Sequence, residues 1–147
     1  MGDFNRAAIQ GSHVVVELDS PTVEQVRERV AKIPFNWIKK KIYDPEVLAK
    51  RIVEQRMQVF DFYDGSSVDP IGYSIVIDPS ETDRHTHLSG INEPVREIEN
   101  IALFPGQPGK GRGESFLNLV AREIESTGAM HVYLNTCLLY TSDAADD

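Results

Sequence analysis

The segment IENIALFPGQPGKGRGESFLNLV, residues 98–120, places a glycine-rich loop between two apolar runs. Four glycines occur from Gly106 to Gly113. The run before the loop, 97–103, has the residues of a strand, and apolar residues at helical spacing after the loop predict a helix that begins near Gly113. A further strand-like run follows at 130–136. Because a helix joins these two strands, we expect them to run parallel with a right-handed crossover.

The glycine loop has the chemistry of an anion site. The first N–H groups of a helix have no partner within the helix, and the helix dipole adds partial positive charge at the same end. Glycines let the backbone approach a ligand closely. Phosphate or pyrophosphate is the ligand that such an end binds, and Lys110 and Arg112 add positive charge unless their side chains face solvent.

Two common phosphate-binding loops do not match this one. A Walker A loop needs Gly-Lys followed by Ser or Thr, whereas Gly111 follows Lys110 here. The dinucleotide fingerprint needs G-x-G-x-x-G in an opening β-α-β unit. Here Gly109, Gly111 and Gly113 have the spacing G-x-G-x-G, and the loop comes late in the chain.

The whole chain reads as an α+β fold with a mixed sheet, in the order β-α-α-β-β-β-α-β. The predicted strands are 13–19, 57–63, 71–77, 97–103 and 130–136, and the predicted helices are 21–32, one that follows Asp44-Pro45, and the one after the glycine loop. Short connections predict an antiparallel meander of the three strands between 57 and 103. Residues 1–12 carry little pattern, so we expect a flexible N-terminus.

Capping and breaking residues support these boundaries. Ser20-Pro21 and Asp44-Pro45 each combine an N-cap residue with a proline at the first helical position. Gly128 suits the left-handed position after the last helix. Gly72, inside a strand, indicates a bulge or a close backbone approach.

Composition limits the classes of function. The 147 residues suit one domain, and 41% hydrophobic with 26% charged residues is typical of a globular protein. We find neither a signal peptide nor an apolar run long enough to span a membrane. A net charge of −8 argues against nucleic-acid binding. We therefore expect a cytoplasmic protein that binds neither membrane nor nucleic acid.

Two features leave alternatives open. His85 and His87 can both ligate a metal if the chain is extended, but no third ligand has useful spacing, so we expect a solvated loop and no metal site. The aromatic residues of FNWIKKKIY, 35–43, either pack on the core, which we favour, or line a substrate cleft.

The final segment, CLLYTSDAADD (137–147), resembles the translation of a transposon end and adapter used in sequencing libraries. The alternative is a natural apolar strand with an acidic tail. We expect the natural sequence of this chain to stop near Thr136, so that Cys137 and Tyr140 are not native. On this hypothesis 13–136 is a truncated domain that lacks its C-terminal elements, and the fragment is weakly active or inactive.

The loop and the element order together resemble the GNAT superfamily of acyl-CoA-dependent N-acyltransferases. That family has [Q/R]-x-x-G-x-[G/A] after a strand that ends in a Val-x-Pro-like step. LFP at 103–105 matches the strand end and PGKGRG at 108–113 matches the loop, except that Pro108 replaces the family's Gln or Arg. The resemblance covers residues 13–136.

The resemblance implies a cosubstrate, acetyl-CoA or another acyl-CoA, and an amine acceptor of unknown identity. Backbone N–H groups of the loop would hold the pyrophosphate, and the end of the preceding strand would pair with pantetheine as an added strand would. The residues that it assigns to this site are Ala102, Leu103, Pro108, Gly109, Lys110, Gly111, Arg112, Gly113 and Glu114.

The resemblance also implies direct attack of the amine on the thioester, with a base that removes the amine proton. Counting back from the loop places Glu97 at the family's base position, and Glu99 lies on the same face because strand residues alternate. Alternatively, both are edge or surface carboxylates. Two other functions stay open, a non-catalytic nucleotide- or phosphate-binding module and a domain whose glycine loop is only a tight connection.

Overall fold

The computed structural model describes residues 7–33, 44–65, 67–78, 94–107, 109 and 111–134, without the side chains of 7–10 and 133–134. The described residues form six strands and three helices. In chain order these are β1 (Ala7–Gln10), β2 (His13–Glu17), α1 (Val23–Val30), α2 (Pro45–Glu54), β3 (Gln58–Asp64), β4 (Gly72–Ile77), β5 (Val95–Leu103), α3 (Arg112–Ser126) and β6 (His131–Leu134). Three features of the sequence lie outside the described residues: the histidine pair at 85 and 87, the aromatic segment 35–43 and the tail 137–147.

All six strands form one sheet in the order β1-β2-β3-β4-β5-β6. Each neighbouring pair from β1 to β5 is antiparallel, and β5 pairs with β6 in parallel across α3. The predicted α+β class, the antiparallel meander and the parallel pair are confirmed. The structure adds β1, which the sequence did not predict. Its short run AAIQ becomes a strand because a turn at Gly11, with φ of 60°, folds it onto β2.

The sheet separates two apolar clusters. On one face, residues of the sheet pack against α3, and the buried members include Val15, Phe60, Phe62, Val76, Ile98, Phe116, Leu119 and Ile124. On the other face they pack against α1 and α2, and the buried members include Val26, Val30, Ala49, Ile52, Val59, Tyr73, Ile75 and Ile77. β4 is buried along its whole length because it lies within the sheet and both faces are covered.

The helix ends correct one prediction and confirm two. The N-cap of α1 is Thr22, not Ser20. Thr22 Oγ1 accepts from Gln25 N and Gln25 Oε1 accepts from Thr22 N, at 3.2 and 2.9 Å. A cap at Ser20 would place Val23 at the reciprocal position, and valine has no such group. Asp44 caps α2 as predicted, and Gly128 follows α3 with φ of 103°.

None of the three described helices has the length and apolarity needed to cross a bilayer. Within the same part of the chain, no group of three or more metal-ligating side chains is close enough to hold a metal ion.

Candidate functional site

The chain leaves β5 through a tight turn at 104–107. Gln107 N donates to Phe104 O over 3.0 Å, and Gly106 has φ of 87°. A proline in the second position and a positive-φ glycine in the third are typical of a type II turn. Phe104 is buried, and its N–H donates to Ile71 O over 2.9 Å. The loop therefore starts from a fixed point beside β4.

The N-terminus of α3 is built from glycines. Gly109 and Gly111 have φ of 109° and 70°, in the left-handed region that favours glycine. Gly111 is the N-cap residue and provides no side-chain cap, and Ser115 N donates to Gly111 O over 3.0 Å. The N–H groups of Gly113 and Glu114 precede this first helical bond, so they lie at the end of the helix where its dipole attracts anions.

The space beside the loop is open. A Cβ atom added at Gly106, Gly109 or Gly111 would meet no described atom within 4 Å. Glycine is therefore needed at these positions for backbone conformation, and no described side chain covers the loop backbone there. Pro108 and Lys110, which the sequence assigned to the same loop, lie outside the described residues.

Arg112 turns inward and does not face solvent. Its Nε and Nη2 lie 2.9 and 2.8 Å from Asp64 Oδ2, at the end of β3. Its Nη1 donates to Gln107 O over 2.9 Å, across the loop. The side chain is only 19% exposed. Its charge is thus compensated by Asp64 and is not presented to an anion at the helix end.

Asp64 is held from several directions. Ser12 Oγ donates to its Oδ1 over 3.2 Å, and His13 Nε2 lies 3.6 Å from the same oxygen. Burial opposes ionisation, but the hydrogen bonds from Arg112 and Ser12 and the nearby charges hold the pKa of Asp64 below its ordinary value. His13 Nδ1 lies 2.7 Å from Ser115 Oγ in the first turn of α3, which extends the network to that helix.

The end of β5 lies close against β4. Gly72 is paired with Leu103, and a Cβ at Gly72 would lie 2.5 Å from Ala102 O. The predicted close backbone approach at Gly72 is confirmed. It brings Ala102 and Leu103, both buried, to a fixed distance from β4 at the point where the loop begins.

β5 contains a bulge at Glu99. Ile75 is opposite Asn100 whereas Val76 is opposite Ile98, so Glu99 is an extra residue in the ladder. Ser74 is buried, and its Oγ donates to Asn100 O over 2.8 Å. Bulges of this kind re-aim the backbone and side chains next to functional sites.

The two candidate bases differ in environment. Glu97 is 1% exposed and is paired in register with Ile77 of β4 and Tyr133 of β6, so it is neither an edge nor a surface carboxylate. Glu99 is half-buried and is the bulged residue itself. The expectation that both lie on one face assumed unbroken alternation, which the bulge interrupts.

Sequence reasoning missed the side chains that support the loop. His13 and Ser74 lie in predicted strands, and nothing in the sequence singled out Asp64 for this role. Each is connected to its partner across a long sequence separation, such as 48 residues between Asp64 and Arg112. No local pattern marks such a pair.

Comparison with known proteins identifies the fold. No protein-family model and no curated protein matches the sequence. A ribosomal-protein-alanine N-acetyltransferase from Brucella melitensis biovar Abortus 2308 matches the structure with a TM-score of 0.62 and 12% identity, over 92% of this chain and 87% of that chain. This likeness is in fold, because the sequence identity is low.

Two aminoglycoside acetyltransferases are similar to the same degree. The enzyme meta-AAC0020 from an uncultured soil metagenomic sample, solved with sisomicin, has a TM-score of 0.62 and 15% identity, covering 92% of this chain and 86% of that chain. AAC(6')-Iy, solved with CoA, has a TM-score of 0.59 and 15% identity, covering 97% of this chain and 86% of that chain. The described chain therefore has a GNAT-type α+β fold.

Proposed function

We propose that this chain is an acyl-CoA-dependent N-acyltransferase domain that transfers an acyl group from acetyl-CoA, or another acyl-CoA, to an amine. The observation that carries the proposal is the glycine loop between β5 and α3. Left-handed glycines lead into a helix whose N-cap offers no side chain, and open space lies beside them. Such an end suits the pyrophosphate of CoA.

The edge of β5 supports a place for the pantetheine arm. Within the described residues, β6 pairs with β5 only from Val95 to Ile98. The backbone of Ala102 and Leu103 pairs with β4 on its other side. The β6-facing edge at Ala102 and Leu103 then receives the pantetheine amides as a short added strand.

The reaction then needs a proton acceptor near the thioester. The amine nitrogen attacks the thioester carbonyl carbon, the base takes the amine proton, and the C–S bond breaks to release CoA as a thiolate. Glu97 and Glu99 are the proposed bases because they lie on the same strand that leads to the loop. The strand rise places Glu97 roughly 20 Å from Leu103, within reach of an extended arm that follows β5.

The relatives in fold support the amine as the acceptor class. One is named for acetylation of a protein's alanine, and others for acetylation of aminoglycosides, one of them solved with sisomicin. Because an acceptor is set by site residues and not by the fold, the proposal stops at an amine.

Thermal unfolding tests the proposal. At a ligand concentration of about 100 times its Kd, binding adds about 2.7 kcal/mol of stability, which is a shift of several degrees for a chain of this length. We expect millimolar acetyl-CoA to raise Tm and ATP to leave it unchanged. A shift with ATP but not with acetyl-CoA would favour a non-catalytic nucleotide-binding module instead.

The role of the base is tested separately. Glu97→Gln removes the proton acceptor and keeps the shape of the side chain. We expect acyl transfer to an amine to fall at every pH while CoA still binds, with Glu99→Gln as the matched variant. Undiminished transfer by the Glu97 variant across pH would remove Glu97 from the mechanism.

A further inference from the structure

We propose that Asp64 and Arg112 are positioning residues for the glycine loop, so that a carboxylate beside an anion site strengthens anion binding. The inference rests on the proposed function, since the anion is the pyrophosphate of CoA. It assigns Arg112 an action through the loop backbone and not a direct contact with phosphate.

The contacts of Arg112 join both ends of the loop to the sheet. Nη1 donates to the carbonyl of Gln107, which lies before the loop glycines, while the backbone of Arg112 begins α3. Nε and Nη2 both contact Asp64 Oδ2 at the end of β3. One guanidinium thus closes the segment between Gln107 and Arg112 and fixes it to a third element.

Asp64 is itself fixed from the side of β2. Ser12 Oγ donates to Oδ1, the oxygen that the guanidinium leaves open, and His13 Nε2 lies 3.6 Å away. The ring of His13 is in turn 2.7 Å from Ser115 Oγ in α3. We call the network of these four side chains, Ser12, His13, Asp64 and Arg112, the brace. It is anchored beside the sheet at one end and in α3 at the other.

A loop of this composition needs such a brace. Glycine loses more conformational freedom on ordering than any other residue, and a ligand that must order its own loop binds more weakly than one that meets a preorganised loop. Arg112 supplies this order through its contacts with Asp64 and with the carbonyl of Gln107.

Simple electrostatics makes the opposite prediction, which gives the test its direction. Asp64 carries negative charge near an anion site and compensates the charge of Arg112. If charge alone mattered, removal of the Asp64 carboxylate would make the site more positive and tighten CoA binding. If the brace matters, the same change weakens CoA binding.

The experiment measures the Kd of CoA by calorimetry for the unsubstituted chain, Asp64→Asn and Arg112→Lys at one pH and ionic strength. We expect each variant to weaken binding about tenfold, as for loss of a charge-assisted hydrogen bond. Arg112→Lys keeps the charge but lacks the fork that spans Asp64 and Gln107. In the transfer reaction, KM for acyl-CoA rises while kcat is kept.

Glu46→Gln is the control for net charge. Glu46 forms an exposed ion pair with Arg27, 3.6 Å apart, and lies at the start of α2. The Glu46→Gln substitution changes the charge of the chain as much as Asp64→Asn does, and it lies outside the loop. We expect its Kd for CoA to stay within about twofold, because an exposed ion pair contributes little and is screened by salt.

Hydrogen exchange of the unliganded chain provides a second readout. We expect the amides of Gly109 and Gly111 to exchange faster in both brace variants and at the original rate in Glu46→Gln. Unchanged or tighter CoA binding in Asp64→Asn, or unchanged loop exchange, overturns this inference and leaves the proposed function standing. No CoA binding by the unsubstituted chain overturns the proposed function, and the inference with it.

Discussion

At the scale of single residues, the best-defined contact is the buried ion pair between Asp61 and Arg29. Asp61 is 1% exposed, and its two oxygens accept from Nε and Nη2 of Arg29, each over 2.7 Å. The hydrogen bond to Asp61 raises the pKa of Arg29, against the effect of burial. Burial and the nearby Asp61 raise the pKa of Tyr63. The ion pair between Arg29 and Asp61 attaches α1 to β3.

We expect Asp61→Asn to destabilise the chain by about 3–5 kcal/mol, the usual result of breaking a buried ion pair by removing one partner. Urea unfolding measures the change. Glu46→Gln breaks the exposed pair with Arg27 and should cost about 0.2–1 kcal/mol. Equal effects of the two substitutions would show that burial of Asp61 does not matter.

Two glycines give a matched comparison between stability and binding. Gly72→Ala places a Cβ 2.5 Å from Ala102 O, so we expect a loss of about 1–3 kcal/mol or more from overpacking. Gly111→Ala meets no described atom but must adopt φ of 70°, which costs about 1–2 kcal/mol. We expect Gly111→Ala to weaken CoA binding more than Gly72→Ala does, relative to the stability that each variant loses. If the ratio of binding loss to stability loss is the same for both variants, the loop is only a connection.

Asp64 makes the stability depend on pH in acid. Its folded pKa is held below the ordinary value of 3.8, so the unfolded chain takes up this proton first as pH falls. The stabilisation is complete above the unfolded value and is lost as pH decreases below about 4 through the folded value. The stability of the Asp64→Asn variant should lack this dependence on pH. Identical acid unfolding curves for Asp64→Asn and the unsubstituted chain would contradict it.

Among the elements, β5 combines the most functions, since it carries the candidate bases, the bulge and the start of the loop. Its bulge is supported by the hydrogen bond from Ser74 Oγ to Asn100 O. We expect Ser74→Ala to destabilise the chain by about 1–3 kcal/mol, because it leaves the part-buried carbonyl of Asn100 without that donor. Chemical unfolding measures the loss. A change below the error of the measurement would show that the bulge does not need Ser74.

How well each element could be predicted depends on how local its signals are. The cap at Asp44-Pro45 and the stop at Gly128 are local, and both were confirmed. The cap of α1 was assigned to Ser20 because proline follows it, although the reciprocal pair of Thr22 and Gln25 decides the start. Two buried isoleucines three residues apart, 98 and 101, were the local trace of the bulge, since alternation places residues two apart on one face.

Over the whole molecule, the order of the elements from β2 to β6 followed from sequence patterns, but β1 and the support of the site did not. The bridge from Asp64 to Arg112 spans 48 residues and the contact from His13 to Ser115 spans 102. Such pairs depend on which strands become neighbours in the sheet. The fold is shared with acetyltransferases at 12–15% identity, and a shared fold leaves function to the site itself.

Glycine amides give a direct test of the proposed acyl-CoA site, because three of them lie in or next to the loop before α3. The sequence has ten glycines, so a chain labelled with ¹⁵N-glycine has few NMR signals, and acetyl-CoA can be titrated into it. We expect the amides of Gly109, Gly111 and Gly113 to shift in a saturable manner while that of Gly128, at the other end of α3, stays in place. No shift of the three loop amides, or equal shifts at Gly128, would contradict an acyl-CoA site at the N-terminus of α3.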